Sequence, residues 1–247
     1  MERPAVLFVL LNLWTTSLAL ECKLVRGSLK QIDAGNGQVF GVNTNNDIFT
    51  LYGSIWTQVP GSLKHVSVGP AGVWGVDANN YILRLDEGDW VIVPGLLTQV
   101  DAGGLASPAG VNMNDDIFCL LGRKGASWTN IPGKLKYYSC GPTSCWGVNG
   151  ADNIFIMKGM TSTACVGSLL WEQVPGYLSM IEVSTDGKVY GVNSNGDIFI
   201  RDGIAPATPA GTGWRQIAYP QKAKHVSYDL GHLWVIATDN TINDCTE

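Results

Sequence analysis

The chain writes one phrase six times, and this repetition limits its fold more than any other feature. The copies are "LKQIDAGNGQVFGVNTNNDIF" from Leu29, "LKHVSVGPAGVWGVDANNYIL" from Leu63 and "LTQVDAGGLASPAGVNMNDDIF" from Leu97. They continue with "LKYYSCGPTSCWGVNGADNIF" from Leu135, "LSMIEVSTDGKVYGVNSNGDIF" from Leu178 and a degraded "AKHVSYDLGHLWVIATDNTIN" from Ala223. Ile48, Ile82, Ile117, Ile154, Ile198 and Ile242 hold the same place in the six copies. Between copies stands a W-x-x-[VI]-[PA] segment, opened by Trp56, Trp90, Trp128, Trp171 and Trp214. In the second unit, alternating runs at 65–68, 73–77, 81–85 and 90–93 are separated by Gly, Pro and Asn turn formers. Period-two alternation reads as strands. Four antiparallel strands per repeat, repeated six times, predict an all-β six-bladed β-propeller.

The ends predict how the ring closes. The last copy stops at Glu247 without its W-x-x-V-P-G strand, and "CKLVRGSLK" at 22–30 aligns without gaps on "WTQVPGSLK" at 56–64. The N-terminal strand is therefore expected to pair with the C-terminal blade, leaving no terminal blade with an open edge. In that register Cys22 and Cys245 are neighbours, so they are paired. Cys140 and Cys145 flank the first turn of the fourth blade, a spacing suited to a bridge across a hairpin. Elimination and position on the same rim leave Cys119 with Cys165. An even cysteine count fits a disulfide framework in an oxidising compartment. No C-x-x-C pair is present, and the three His are not spaced as zinc ligands.

Residues 1–19, "MERPAVLFVLLNLWTTSLA", read as a signal peptide, which makes the protein secreted, with one propeller domain over 20–247. The apolar stretch is too short and too interrupted to span a bilayer, and no later stretch is apolar enough. The net charge of −5 argues against non-specific nucleic-acid binding. G-x-S-x-G, H-E-x-x-H and phosphate-loop motifs are missing, and no unique acidic cluster breaks the repeat, so the chain is read as not an enzyme.

The cysteine-free rim carries the turn between strands two and three of each blade. It is written NTNND at 43–47, DANN at 77–80, NMNDD at 112–116, NGADN at 149–153 and NSNGD at 193–197. Asn and Asp are good turn formers, which explains the turn centres. Their recurrence at the strand end, in five copies of six, points further, to donors and acceptors that suit sugar hydroxyl and acetamido groups. The candidate carbohydrate-binding residues are Asn43, Asn45, Asp47, Asp77, Asn79, Asn112, Asn114, Asn149, Asn193 and Asn195. The five outer Trp, and Trp74, Trp146 and Trp234, are assigned to packing. His65 and His225 mark a repeat position and not a catalytic base.

The motif W-x-x-[VI]-P-G-x-L-x-x-[VI]-S-x-G…[WF]-G-V-N-x-x-x-x-I resembles the tectonin repeat, and the mature chain is similar to the fish egg lectins and the horseshoe-crab tectonin lectins. The resemblance implies binding of N-acetylglucosamine and related glycans and recognition of bacterial lipopolysaccharide in egg defence. It leaves calcium binding and a homo-oligomer open; no cofactor is required, and no metal ligand is named. Ala218-Tyr219-Pro220 in place of V-P-G and Ala237 in place of the turn Asn put a sixth equivalent site in question. The competing reading is a non-enzymatic platform for a partner protein.

Overall fold

A computed structural model describes residues 20–104, 107–121, 127–159 and 167–246. The leader assigned to 1–19 lies outside them. The described strands form six four-stranded antiparallel sheets. The first blade holds β2 (Gln31–Gly35), β3 (Gln38–Val42), β4 (Ile48–Tyr52) and β5 (Ile55–Val59). The second holds β6 (His65–Gly69), β7 (Gly72–Val76), β8 (Tyr81–Asp86) and β9 (Asp89–Leu96). The next three repeat the order with β10 (Gln99–Asp101) to β13 (Ser127–Lys134), β14 (Tyr137–Cys140) to β17 (Trp171–Tyr177), and β18 (Met180–Val183) to β21 (Gly213–Ile217). Among the described residues no helix is long and apolar enough to cross a membrane.

The sixth blade, which holds β22 (Ala223–Asp229) and β23 (His232–Ala237), has the order β1-β24-β23-β22, so β1 (Glu21–Val25) is its outer strand, beside β24 (Ile242–Thr246). Cys22 and Cys245 are register partners and are joined by a disulfide, as are Cys140 and Cys145. Cys119 is oxidised; Cys165, its expected partner, lies outside the described residues.

The inner strands are buried along most of their length, and side chains of β2, β6, β10, β14 and the inner strand of the sixth blade tie each of these to the next blade. Gln31 donates through Nε2 to Val66 O (2.8 Å) and accepts Val66 N–H at Oε1 (3.1 Å); Gln99 treats Tyr138 in the same way. One step further along, acid and serine alternate around the axis: Asp33, Ser67, Asp101, Ser139, Glu182, Ser227. Asp33 accepts Val68 N–H (2.6 Å), Ser67 accepts Ala102 N–H (2.9 Å) and Asp101 accepts Cys140 N–H (2.9 Å). Ser139 accepts Val183 N–H (2.9 Å), and Ser227 accepts Ala34 N–H (2.9 Å). These bonds satisfy polar groups that burial would otherwise leave costly. The strands approach so closely that a Cβ on Gly69 would lie 2.4 Å from Ala102 O, which explains a glycine at that place. Apolar clusters fill the space between blades, each drawing on two neighbours; Ile48, Val66 and Trp90 share one of them.

Candidate functional site: clefts between blades

The turn between strands two and three is held by its first residue. Asn43 Oδ1 accepts the N–H groups of Asn45 and Asp47, both at 2.9 Å. Asp77, Asn112, Asn149 and Asn193 do the same in their blades at 2.8–3.0 Å. The strand-end Asn or Asp is thus an Asx-turn acceptor, and its recurrence follows from the turn itself. Asn43 Nδ2 donates onward to Asp47 (2.8 Å), and Asn112 and Asn193 donate to Asp116 and Asp197 (3.2 Å each). At the turn tips Asn45, Asn79, Asn114 and Asn195 are exposed.

The following residue lies in the left-handed region: Asn46 (φ 69), Asn80 (72), Asp115 (62), Asp152 (64), Gly196 (78) and Asn240 (73). Only Asn, Asp and Gly occupy it, as that backbone requires. Its carbonyl accepts the N–H of the residue that leads into the next blade, as Asn46 does from Leu63 (2.9 Å) and Asp152 from Leu178 (3.0 Å). The turn is therefore a joint between blades, and it borders the space between them.

The other wall is the P-G-x segment. Trp90 Nε1 donates to Pro60 O (2.9 Å), Trp128 to Pro94 O (2.8 Å), Trp171 to Pro132 O (2.8 Å) and Trp214 to Pro175 O (3.1 Å). Each bond crosses from one blade to the one before. The glycine beneath the indole has no room for a side chain. Gly133 has φ +120°, and its Cβ would meet Trp171 Cδ1 at 2.9 Å. Gly61, Gly95 and Gly176 meet Trp90, Trp128 and Trp214 alike. Gly27, preceded by Arg26 in place of Pro, meets Trp56, whose Nε1 has no partner among the described residues, so the glycine–indole contact occurs five times and the Trp–Pro bond four.

Between the fourth and fifth blades these walls enclose a cleft of about 570 Å3. Ile154, Leu178 and Phe199 line its apolar part, and Tyr177, Trp214, Asp152 and Asn193–Asn195 are at its borders. Tyr177 is 70% exposed. Apolar rings beside amide and carboxylate groups match the two kinds of surface a sugar presents. Asn193 and Asn195 of the expected set line this cleft; Asn149 holds the turn that carries Asp152 into it. Asn43, Asn45, Asp47, Asp77, Asn79, Asn112 and Asn114 occupy the corresponding turns of other blades. The sequence reading did not include Tyr177, Phe199, Trp214 or Asp152. Their signal was the fixed offset between the Trp and the turn of its own repeat, which the propeller brings against P-G-x of the preceding repeat.

The sixth blade differs. Cys22 stands where the Trp would be, Asn243 Nδ2 donates to Tyr219 Oη (2.8 Å), and the adjoining cavity is about 240 Å3. Among the described residues no group of three or more His, Cys, Asp or Glu is placed to hold a metal ion. The axial acids Asp33 and Asp101 each direct both oxygens to Ser hydroxyl and backbone N–H donors.

Fold and site define a class: a closed propeller whose one rim repeats the same blade joint and opens a ligand-sized cleft at the fourth-to-fifth one. The chain belongs to the tectonin family, whose Tectonin domain matches residues 28–238. It is 59% identical over 234 residues to the fish-egg lectin of Cyprinus carpio, covering 92% of this chain and 98% of that one. Solved structures with the same architecture include a gluconolactonase of Xanthomonas campestris (TM-score 0.65, 8% identity, 90% of this chain and 87% of that). Another is virginiamycin B lyase of Staphylococcus aureus (TM-score 0.60, 13% identity, 92% and 99%). At such identities the likeness concerns fold alone.

Proposed function

We propose that the chain is a secreted, non-enzymatic, multivalent lectin. Its ligands are N-acetylglucosamine-type glycans, including those of bacterial surface polysaccharide such as lipopolysaccharide, and its setting is defence of the egg. The observation that carries this reading is the repetition of one blade joint, an indole over glycine at five places and Trp Nε1 bonded to a Pro carbonyl at four of them, in a relative of a fish-egg lectin. A shallow sugar site binds in the millimolar range, about −4 kcal/mol. Several such sites on one rigid face gain by effective concentration when the ligand is itself repetitive. Export is supported by the disulfides, which suit an oxidising compartment.

The test is retention on immobilised N-acetylglucosamine and competition by the free sugar. Replacing the exposed tip residues together (Asn45→Ala, Asn79→Ala, Asn114→Ala, Asn195→Ala) leaves the Asx turns intact. It is expected to lower avidity for the polyvalent surface at least about tenfold. Tyr177→Ala with Asn195→Ala removes N-acetylglucosamine-induced amide shifts from the fourth-to-fifth cleft only. A wild-type protein that ignores the sugar surface removes the lectin reading and leaves the partner-protein platform.

A further inference from the structure

A residue at the start of each inner strand stands at the axial opening of the turn-bearing rim: Lys30, Lys64, Thr98, Lys136 and Ser179 just before their strands, and Lys224 second in its own. Thr98 and Ser179 turn their hydroxyls to Val111 O (3.0 Å) and Val192 O (2.8 Å). The four lysines reach the left-handed residue of their own turn, Lys30 to Asn46, Lys64 to Asn80, Lys136 to Asp152 and Lys224 to Asn240. Their surroundings then diverge. Lys136 meets a carboxylate, and so do the outer lysines Lys134 (Asp116, 2.6 Å) and Lys222 (Asp197, 2.6 Å). Lys30, Lys64 and Lys224 meet only a neutral amide oxygen, and among the described residues no ion pair joins them to a carboxylate.

These three belong to blades one, two and six, which are consecutive around the ring. A chain of net charge −5 thus holds three adjacent, half-buried ammonium groups together. Burial, and then the charges of Lys224 and Lys64, hold the Lys30 ammonium below the usual lysine range, so Lys30, between them on the ring, feels both neighbours. Asp77 and Asp239 favour the charge on Lys64 and Lys224 without touching them. Each ammonium donates to one amide and keeps further N–H groups for a ligand. An anion placed here would relieve a repulsion that the fold leaves standing.

We propose that Lys224, Lys30 and Lys64 form an oxyanion subsite, which takes a phosphate or carboxylate substituent of a glycan seated at the blade joints of Trp56 and Trp90. The sugar part rests on the lectin reading; the anion part does not. The probes are inorganic phosphate, N-acetylglucosamine, N-acetylglucosamine 6-phosphate and glucuronate, titrated against the full chain by calorimetry and by amide NMR. At about 20 mM salt the phosphorylated sugar is expected to bind about tenfold more tightly than the plain one. At about 0.5 M salt the gain disappears, as screening requires. The gain also disappears in the triple variant Lys30→Gln, Lys64→Gln, Lys224→Gln, whose glutamines can still donate to the turn amides. Lys136→Gln keeps it, because that ammonium faces Asp152. A glucuronate gain over neutral sugar equal to the phosphate gain assigns recognition to charge alone; a phosphate-only gain assigns it to the phosphate group.

Equal binding of phosphorylated and plain sugar by the wild type overturns the proposal, as does a gain that survives the triple variant. Inorganic phosphate shifting the amides around residues 30, 64 and 224 while no sugar binds supports the anion subsite and overturns the lectin reading instead.

Discussion

The double variant Cys22→Ser, Cys245→Ser is expected to lose about 5 kcal/mol of stability, a fall in Tm of roughly 10–20 °C. The bond joins residues 223 apart, and closing so long a loop removes much of the unfolded chain's freedom. The bridge from Cys140 to Cys145 spans only 5 residues, and the same relation assigns it about 2 kcal/mol. Serine in both positions of each bridge, with unfolding followed in denaturant, gives the comparison directly. β1 keeps its five register pairs with β24 in the variant, so the ring still closes without the covalent bond. Faster hydrogen exchange should then begin at residues 21–25 and leave the inner strands protected. Equal losses from the two bridges would show that closure of the ring contributes nothing special.

Raising the pH from about 6.5 to 8.5 should also destabilise the protein, and Asp101→Asn should flatten that dependence. Burial first, and then the nearby Asp33, push the Asp101 carboxyl up to about 8. Burial raises Asp33 as well, and burial followed by Asp33 and Asp101 raises Glu182. A raised carboxyl holds a proton in the folded state that the unfolded chain has released. Its contribution is fully present below the unfolded value near 4 and is lost as pH climbs through the folded one. Each extra proton held changes stability by about 1.4 kcal/mol per pH unit. His65 and His225 act in the opposite sense, because burial lowers them to about 4 and 3. The unfolded chain protonates them below about 6.5, so they destabilise the fold on the acid side and offset the carboxyls there. The unfolded histidines shed their protons as pH rises through about 6.5, so their offset fades over the first part of this range and the acids dominate the slope above it. Asn at 101 keeps an acceptor for Cys140 N–H and carries no charge. Denaturation midpoints across this range, for wild type and variant, give the test; a flat wild-type profile would discard the account.

Much of this was legible in the one-dimensional text. The gapless match of 22–30 on 56–64 gave both the outer strand of the last blade and the facing of Cys22 with Cys245, because period-two geometry leaves little freedom once strands are aligned. Less legible was the reason for Asn43 and its counterparts. Turn acceptor and ligand donor call for the same residue type, and only the hydrogen bonds from Asn45 and Asp47 show which demand the side chain meets first. The axial acids were hidden for another cause. Asp33, Asp101 and Glu182 lie in alternate repeats, far apart along the chain, and their charge depends on burial that a single strand cannot reveal. The lysine arc was obscured because Lys30 and Asn46 look like ordinary surface polarity until Lys224 is placed beside them.

The outer strand of the sixth blade carries a consequence for biosynthesis. β1 is made before every other described strand, yet its partner β24 is the last of them. During most of translation an edge-seeking strand must wait without its mate, exposed to mispairing with any blade already formed. Contacts this distant in sequence also slow folding. The molecule should therefore complete its circle only once β24 has been made, with Cys22 oxidised late, and a chain cut before β24 should accumulate as an open, aggregation-prone arc.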